Sequence, residues 1–223
     1  MKRTKLSQRE FCDYTRKEEL IHSTTHATGI LFGVLALITC LAVSSCNQNI
    51  RGIAGSMIYG TALIVLYAMS TLYHSLPRNT AKKVLQVLDH CTIYFLIAGT
   101  YTPIVLCKIC PHSPAVGWAV LAFVWSCAML GAVLTAIDLK KYAKFSMVCY
   151  IGMGWCIVLA IRPAMEALSL PCLLWILAGG IAYTVGAVLY GLGKKRQYMH
   201  AVFHVFVLLG SFLQYVAIIR YVL

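Results

Sequence analysis

Residues 20–50 read LIHSTTHATGILFGVLALITCLAVSSCNQNI and contain no Asp, Glu, Lys or Arg. A helix of this length rises far enough to cross the ~30 Å hydrocarbon core of a membrane. Six further stretches lack these charged residues: 52–77, 90–107, 109–137, 145–161, 167–193 and 197–219. The weakest is 145–161, which is at the short limit for a span. The sequence therefore predicts an all-α integral membrane protein, a bundle of seven transmembrane helices.

The composition agrees with a membrane protein. The chain is 60% hydrophobic and 12% charged, whereas a soluble domain carries about 25% charged residues. A soluble helical bundle would also show amphipathic stripes, and these segments are apolar all round. Because the connections are short, we predict one domain at 20–223, preceded by a cytoplasmic N-terminal tail at 1–19.

The basic residues predict the orientation. Four stand on one side of the predicted membrane, namely Arg51, Lys108, Arg162 and Arg220. Fifteen stand on the other side: Lys2, Arg3, Lys5, Arg9, Arg16, Lys17, Arg78, Lys82, Lys83, Lys140, Lys141, Lys144, Lys194, Lys195 and Arg196. The positive-inside rule then places the N-terminus in the cytoplasm and the C-terminus outside the cell membrane. The net charge of +12 is dispersed over short loops, so it reflects topology and we expect no nucleic-acid partner. Membrane lipids are the expected partners, as a possible substrate.

Several ionisable residues stand at the cytoplasmic ends of the spans. His200 and His204 are one turn apart on one face of the last span, His74 closes the second span, and Asp89 opens the third. Polar groups in the hydrocarbon cost roughly 2.5–3.5 kcal/mol each even on the lenient insertion scale, so they suggest function. Three neutral imidazoles suit a catalytic zinc ion. The alternative is interfacial histidines that extend towards the lipid headgroups.

A second group of polar residues lies close to these positions. Ser70 is one turn before His74, and it could either donate a hydrogen bond or orient that histidine. Glu19, His22, His26 and His90 could join the site or surround it; acidic residues at the start of the first span could equally cap a solvated helix. His112 falls on the opposite side and is excluded.

The ten cysteines do not predict a metal site. Most stand singly in the spans, where a thiol is usually a small apolar packing group. Cys107 and Cys110 have C-x-x-C spacing, but no second pair accompanies them. Ordinary packing or a loop disulfide is favoured there.

Four groups of residues together resemble the motifs of the hemolysin III family. They are EELIHSTTHATG at 18–29, STLYHS at 70–75, LDHCTIY at 88–94 continuing to AGTYTP at 98–103, and HAVFH at 200–204. They occur in the family's order over most of the chain. This family is part of the progestin and adipoQ receptor superfamily, which includes the adiponectin receptors. One residue departs from the pattern, because the family usually has Asn where this chain has His22.

The resemblance implies seven helices with a cytoplasmic N-terminus and a Zn²⁺ ion held by His74, His200 and His204. It further implies that Asp89 acts through a water molecule on the metal, with Ser70 beside it. Relatives in the superfamily are linked to hydrolysis of the ceramide amide bond. The family name suggests membrane lysis instead, and bacterial members are tied to membrane lipid and energy homeostasis.

Three classes of function follow from these observations. The first is a zinc-dependent hydrolase of a lipid amide or ester. The second is a receptor or structural protein in which zinc joins helices. The third is a pore or lytic protein, which would need polar rings repeated along the spans; their middle and outer parts carry almost none.

Overall fold

The computed structural model describes residue 4 and residues 8–193 and 196–223. Within them, seven helices are long and apolar enough to cross a membrane. We label them in chain order as α1 Arg16–Cys46, α2 Ile50–Ser75, α3 Thr80–His112, α4 Pro114–Ile137, α5 Ala143–Ala167, α6 Leu170–Leu192 and α7 Met199–Val222. The described residues form no β-strand, and the predicted all-α membrane fold is confirmed.

Helix α3 begins earlier than the charge-free stretch suggested. Asn79 caps it, because its side-chain oxygen accepts a hydrogen bond from Lys82 N. Asp89 therefore lies nine residues inside the helix, about 13 Å from its start, rather than at the opening of the span. The α-helical part ends at Ile104, just after Pro103, and continues as a π-helix over Val105–Ile109. Pro103 lacks an N–H, so the carbonyl of Gly99 has no α-helical donor in this part of the helix.

Helix α5 is interrupted, in agreement with the weakness of its sequence signal. It is α-helical over Ala143–Gly154 and Ile161–Ala167, with a 3₁₀ segment at Cys156–Ala160 between them. Tyr101 of α3 stabilises the break: its hydroxyl donates to Gly154 O (2.9 Å) and accepts from Ile157 N (3.1 Å). Backbone N–H and C=O groups that lose their helical hydrogen bonds inside a membrane need such partners, because lipid offers none.

A buried polar cluster joins three helices beneath the predicted site. Ser211 Oγ of α7 lies 2.7 Å from the hydroxyls of Tyr67 of α2 and Tyr183 of α6. Tyr67 also lies against Gly29 of α1, where a Cβ atom would come within 2.5 Å of the tyrosine ring. Only glycine allows this approach, as is common where membrane helices pack closely. These contacts hold α1, α2, α6 and α7 together one to two turns from the histidines.

All ten cysteines are free thiols. Cys110 is buried, and the Cys107 thiol is close to the Asn49 side chain. Of the two alternatives for the C-x-x-C pair, the structure therefore favours packing over a disulfide.

The orientation in the membrane remains a prediction, and five of the basic residues behind it (Lys2, Arg3, Lys5, Lys194 and Lys195) lie outside the described residues. We expect a reporter that works only in the cytoplasm to be active when fused after Lys195 and inactive when fused after Leu223. The reverse pattern would overturn the orientation and the shared cytoplasmic depth of the site.

Candidate metal centre

Five histidine rings converge at one end of the bundle. Helix α1 contributes His22 and His26, α2 contributes His74, and α7 contributes His200 and His204. Ring nitrogens of His22, His74 and His200 lie within 4.8 Å of one another. His200 Nε2 is 3.3 Å from His74 Nε2 and 3.0 Å from His204 Nε2. The structure thus brings together the three predicted ligands and adds His22 to them.

His74 is held by a pair of charged residues. Its Nδ1 lies 2.6 Å from Glu19 Oε2, and Glu19 Oε1 lies 2.9 Å from Lys82 Nζ. An ionised carboxylate only accepts hydrogen bonds, so the proton of His74 belongs on Nδ1 and the Nε2 lone pair faces His200. This carboxylate–histidine arrangement is the usual support of a metal-binding imidazole.

Lys82 belongs to this site, although in the sequence it looks like one charge of a basic loop. Its side chain is buried, and Nζ also donates to Tyr73 O (2.8 Å) and Leu76 O (3.0 Å) at the end of α2. A buried lysine requires such partners. The one local signal was its place in the turn after Asn79, a residue type that often caps helices, because a lysine there is unfavourable to the helix dipole.

A second carboxylate of α1 positions the start of α7. Glu18 Oε1 accepts from Tyr198 N (2.9 Å), and Glu18 Oε2 accepts from Thr15 N (2.9 Å) in a capping box. Tyr198 has a positive φ of 62°, which is uncommon for a residue with a side chain. The hydrogen bond from Tyr198 N to Glu18 stabilises that turn, which lies two residues before His200 and joins the start of α7 to α1.

Aromatic contacts fix the ring planes. His26 stacks on His204 with centroids 3.6 Å apart and planes 9° apart. Tyr14, just before α1, stacks on His200 at 5.1 Å and meets the edge of His22 at 4.9 Å. Burial raises the pKa of the Tyr14 hydroxyl, so this residue is neutral when it covers the rings.

The N-terminal segment packs across the end of the bundle. Thr4 N donates to Asp138 Oδ2 (2.8 Å), in the connection after α4, and Arg9 Nη2 approaches Ile137 O (3.5 Å). Backbone N–H groups of Thr4 and Lys141 lower the pKa of Asp138 to about 2, so it is ionised at neutral pH. Thr4 and residues 8–12 of the predicted tail line a cavity that reaches the histidines.

Asp89 and Ser70 face a cavity of about 930 Å³ that also reaches His200 and His204. The volume is at the upper end of the range for small-molecule sites. Ser70 is buried; its hydroxyl faces the Asp89 carboxylate but completes no ordinary hydrogen bond to a described residue. His90 lines the same cavity and donates from Nδ1 to Gln86 O (2.8 Å), 3.8 Å from Asp89 Oδ2.

These residues fit a metal ion. Zinc–nitrogen bonds of 2.0–2.1 Å place two imidazole nitrogens of a tetrahedral site about 3.3 Å apart, close to the 3.0 and 3.3 Å found here. Without a cation, the one Nε2 hydrogen of His200 can serve only one of its two neighbours. Imidazoles are ligands for zinc, copper, iron and nickel, so the donor set is compatible with several metals and does not choose among them.

Comparison with known proteins identifies the family. The model of haemolysin-III-related proteins matches residues 14–215. This chain belongs to the haemolysin-III-related family. It is 38% identical over 207 residues to hemolysin-3 of Bacillus cereus, covering 93% of each chain. It is 35% identical over 208 residues to the hemolysin-3 homolog of Bacillus subtilis (strain 168), covering 93% of this chain and 96% of the relative.

A more distant relative supports the wider superfamily. The human monocyte to macrophage differentiation factor is 28% identical over 172 residues, which is 74% of this chain and 68% of the relative. The resemblance seen in the motifs is thus confirmed. Together with the seven apolar helices, membership of the haemolysin-III-related family makes the chain a multi-pass membrane protein, consistent with the plasma membrane.

The support of His74 gives a testable prediction for this haemolysin-III-related chain. Glu19→Gln should weaken metal affinity by about 10- to 100-fold, because outer partners of metal-binding histidines typically contribute that much. Lys82→Met should also lower metal affinity, since it removes the charged partner of Glu19. Competition titration with a chelator measures the affinity. Glu10→Gln, at a carboxylate that is 87% exposed, is the control; equal affinity in all four proteins would contradict the role of Glu19.

Proposed function

We propose that this protein is a zinc-dependent hydrolase that cleaves a lipid amide or ester, in the manner of a ceramidase, at the cytoplasmic leaflet. The observation that carries the proposal is the shared cavity: His200 and His204 face the same space inside a membrane bundle as the Asp89 carboxylate and the buried Ser70 hydroxyl. His200 also belongs to the group of imidazoles with metal-binding spacing. A role in membrane lipid homeostasis would follow from such an activity.

Hydrolysis of an amide or ester could be carried out by the zinc ligands, the carboxylate and the hydroxyl of this cavity. A zinc ion held by His74, His200 and His204 would polarise the scissile carbonyl and make water nucleophilic near neutral pH. Asp89 would take the proton of the attacking water and pass it to the leaving amine or alcohol. Ser70 Oγ, which faces the Asp89 carboxylate without completing an ordinary hydrogen bond to it, would donate a hydrogen bond to the carbonyl oxygen as negative charge develops on it.

The residues that line the cavity favour a lipid substrate. Apolar side chains of α3, α5 and α7 line most of it, including Ile93, Ile97, Ile151 and Val207. Arg9, Lys140 and Lys144 line the end nearest the N-terminal segment. An acyl chain would occupy the apolar part, and a polar headgroup would lie at the basic end with the scissile bond between them.

The test uses the full-length protein purified in detergent. Its metal content is measured first, and release of fatty acid is then followed from a panel of lipid amides and esters, with and without a chelator. We expect about one zinc per chain and release that the chelator abolishes and added zinc restores. A metal-loaded protein that cleaves no member of the panel would contradict the hydrolase.

The name of the Bacillus cereus relative, hemolysin-3, favours lysis as a second candidate function. Vesicles loaded with a dye distinguish the two. A pore would release the dye independently of the chelator and of Asp89. Lysis that follows lipid hydrolysis would depend on both.

A further inference from the structure

The ring of His22 occupies a position equivalent to those of the three expected ligands. Its centroid is 4.7 Å from His74, 4.7 Å from His200 and 5.2 Å from His204. The other three pairs are separated by 5.2, 5.2 and 4.5 Å. The four rings therefore stand near the corners of a regular tetrahedron.

This spacing is the one that a four-imidazole metal site requires. With zinc–nitrogen bonds of 2.0–2.1 Å, ring centroids of a tetrahedral site are separated by roughly 5 Å. All six separations are close to this value. A residue that merely surrounded the ligands would be farther from at least one of them.

The nitrogens of His22 also lack any other partner. The residue is fully buried, and neither ring nitrogen has a hydrogen bond within the part of the chain that the structure describes. Tyr14 meets its ring only edge-on. Buried polar groups are normally satisfied, and a metal ion at the centre of the four rings would satisfy one nitrogen of His22.

His26 provides a contrast within the same helix. Its ring nitrogens are also without partners, but the ring lies parallel to His204 at 3.6 Å. The nitrogen lone pairs of an imidazole lie in the plane of its ring, so two parallel stacked rings cannot direct theirs at one point, and a metal held by His204 would not be held by His26. His26 is thus a packing residue at this site.

We propose that His22 is the fourth ligand, so that this chain holds its metal with four imidazoles from α1, α2 and α7. The inference rests on the metal site of the proposed function. Four imidazoles complete a tetrahedral zinc shell, so water would reach the ion only by expansion to five ligands or by displacement of His22. Asn, the residue expected at position 22 from the family's motif, cannot supply this ligand.

X-ray absorption at the zinc edge tests the proposal by counting imidazoles in the purified, zinc-loaded protein. We expect four in the wild type and in His26→Asn, and three with an added oxygen in His22→Asn. A competition titration with zinc should show affinity at least about tenfold lower in His22→Asn, the lower end of the effects seen around metal-binding histidines.

The outcomes separate the two proposals. Three imidazoles and an oxygen in the wild type would overturn the role of His22 and leave the hydrolase intact, and this measurement stands even when the variant does not fold. Unchanged coordination in His22→Asn would overturn it as well. A wild-type protein that binds no zinc would overturn both proposals.

Discussion

Asp89→Asn is expected to keep its metal and to lose lipid hydrolysis by about 10² to 10⁴, the usual contribution of a general base. The substitution preserves the shape and polarity of the side chain but removes its ability to accept a proton. Asp89 faces the cavity together with Ser70, His200 and His204, so it can reach a water molecule there. Initial rates of fatty-acid release, with metal content measured on the same samples, provide the test.

The matched control is Glu166→Gln. Glu166 is a half-exposed carboxylate in α5 that is bound to Arg162 and His112, and its replacement should change neither metal content nor rate. An Asp89→Asn protein that retained its metal, its thermal stability and its full activity would remove Asp89 from the mechanism.

The same substitution separates an enzyme from a scaffold. In a structural zinc site the fourth position is filled by a protein ligand, and loss of a ligand lowers both affinity and stability. If Asp89 were such a ligand, Asp89→Asn would lower zinc affinity and melting temperature together. A receptor-like protein whose structural zinc is held by Asp89 would show that pattern, whereas one whose zinc is closed by His22 would keep both affinity and stability. Neither would have hydrolysis to lose.

His200→Ala and His204→Ala should each lose most of the bound metal, from about one zinc per chain in the wild type. Each removes an imidazole whose Nε2 lies 3.0 Å from that of the other, and loss of a ligand leaves an incomplete shell. Metal analysis after gel filtration in a zinc-free buffer measures the effect.

His112→Ala is the control for general loss of histidine, because His112 is half exposed and pairs with Glu166. It should retain the wild-type metal content. Equal content in the wild type and all three variants would show that the metal, if any, is bound elsewhere.

Much of this arrangement could be predicted from the sequence because the membrane imposes simple requirements. A spanning segment must be long, apolar and helical, so seven charge-free stretches predict seven helices. Polar residues are rare in such segments, so His74, His200 and His204 stand out in the sequence. Short connections also leave few ways to arrange the spans.

Contacts between distant residues were not predictable in this way. The pairing of Lys82 with Glu19 and that of Glu18 with Tyr198 depend on how α1, α2, α3 and α7 meet. The sequence records only that each residue is charged or polar. Lys82 therefore looked like a loop charge, although it is buried at the site.

The sequence by itself determined the membrane class, the seven helices, the family and the three expected ligands, because apolar length and motif order are local properties. Tertiary structure alone decided that His22 joins the ring cluster while His26 stacks on His204. These two histidines are one turn apart on the same face of α1, so spacing cannot distinguish them. Their roles differ because the rotation of α1 against α2 and α7 places the His22 ring at one corner of the four-ring cluster and the His26 ring outside it, against His204.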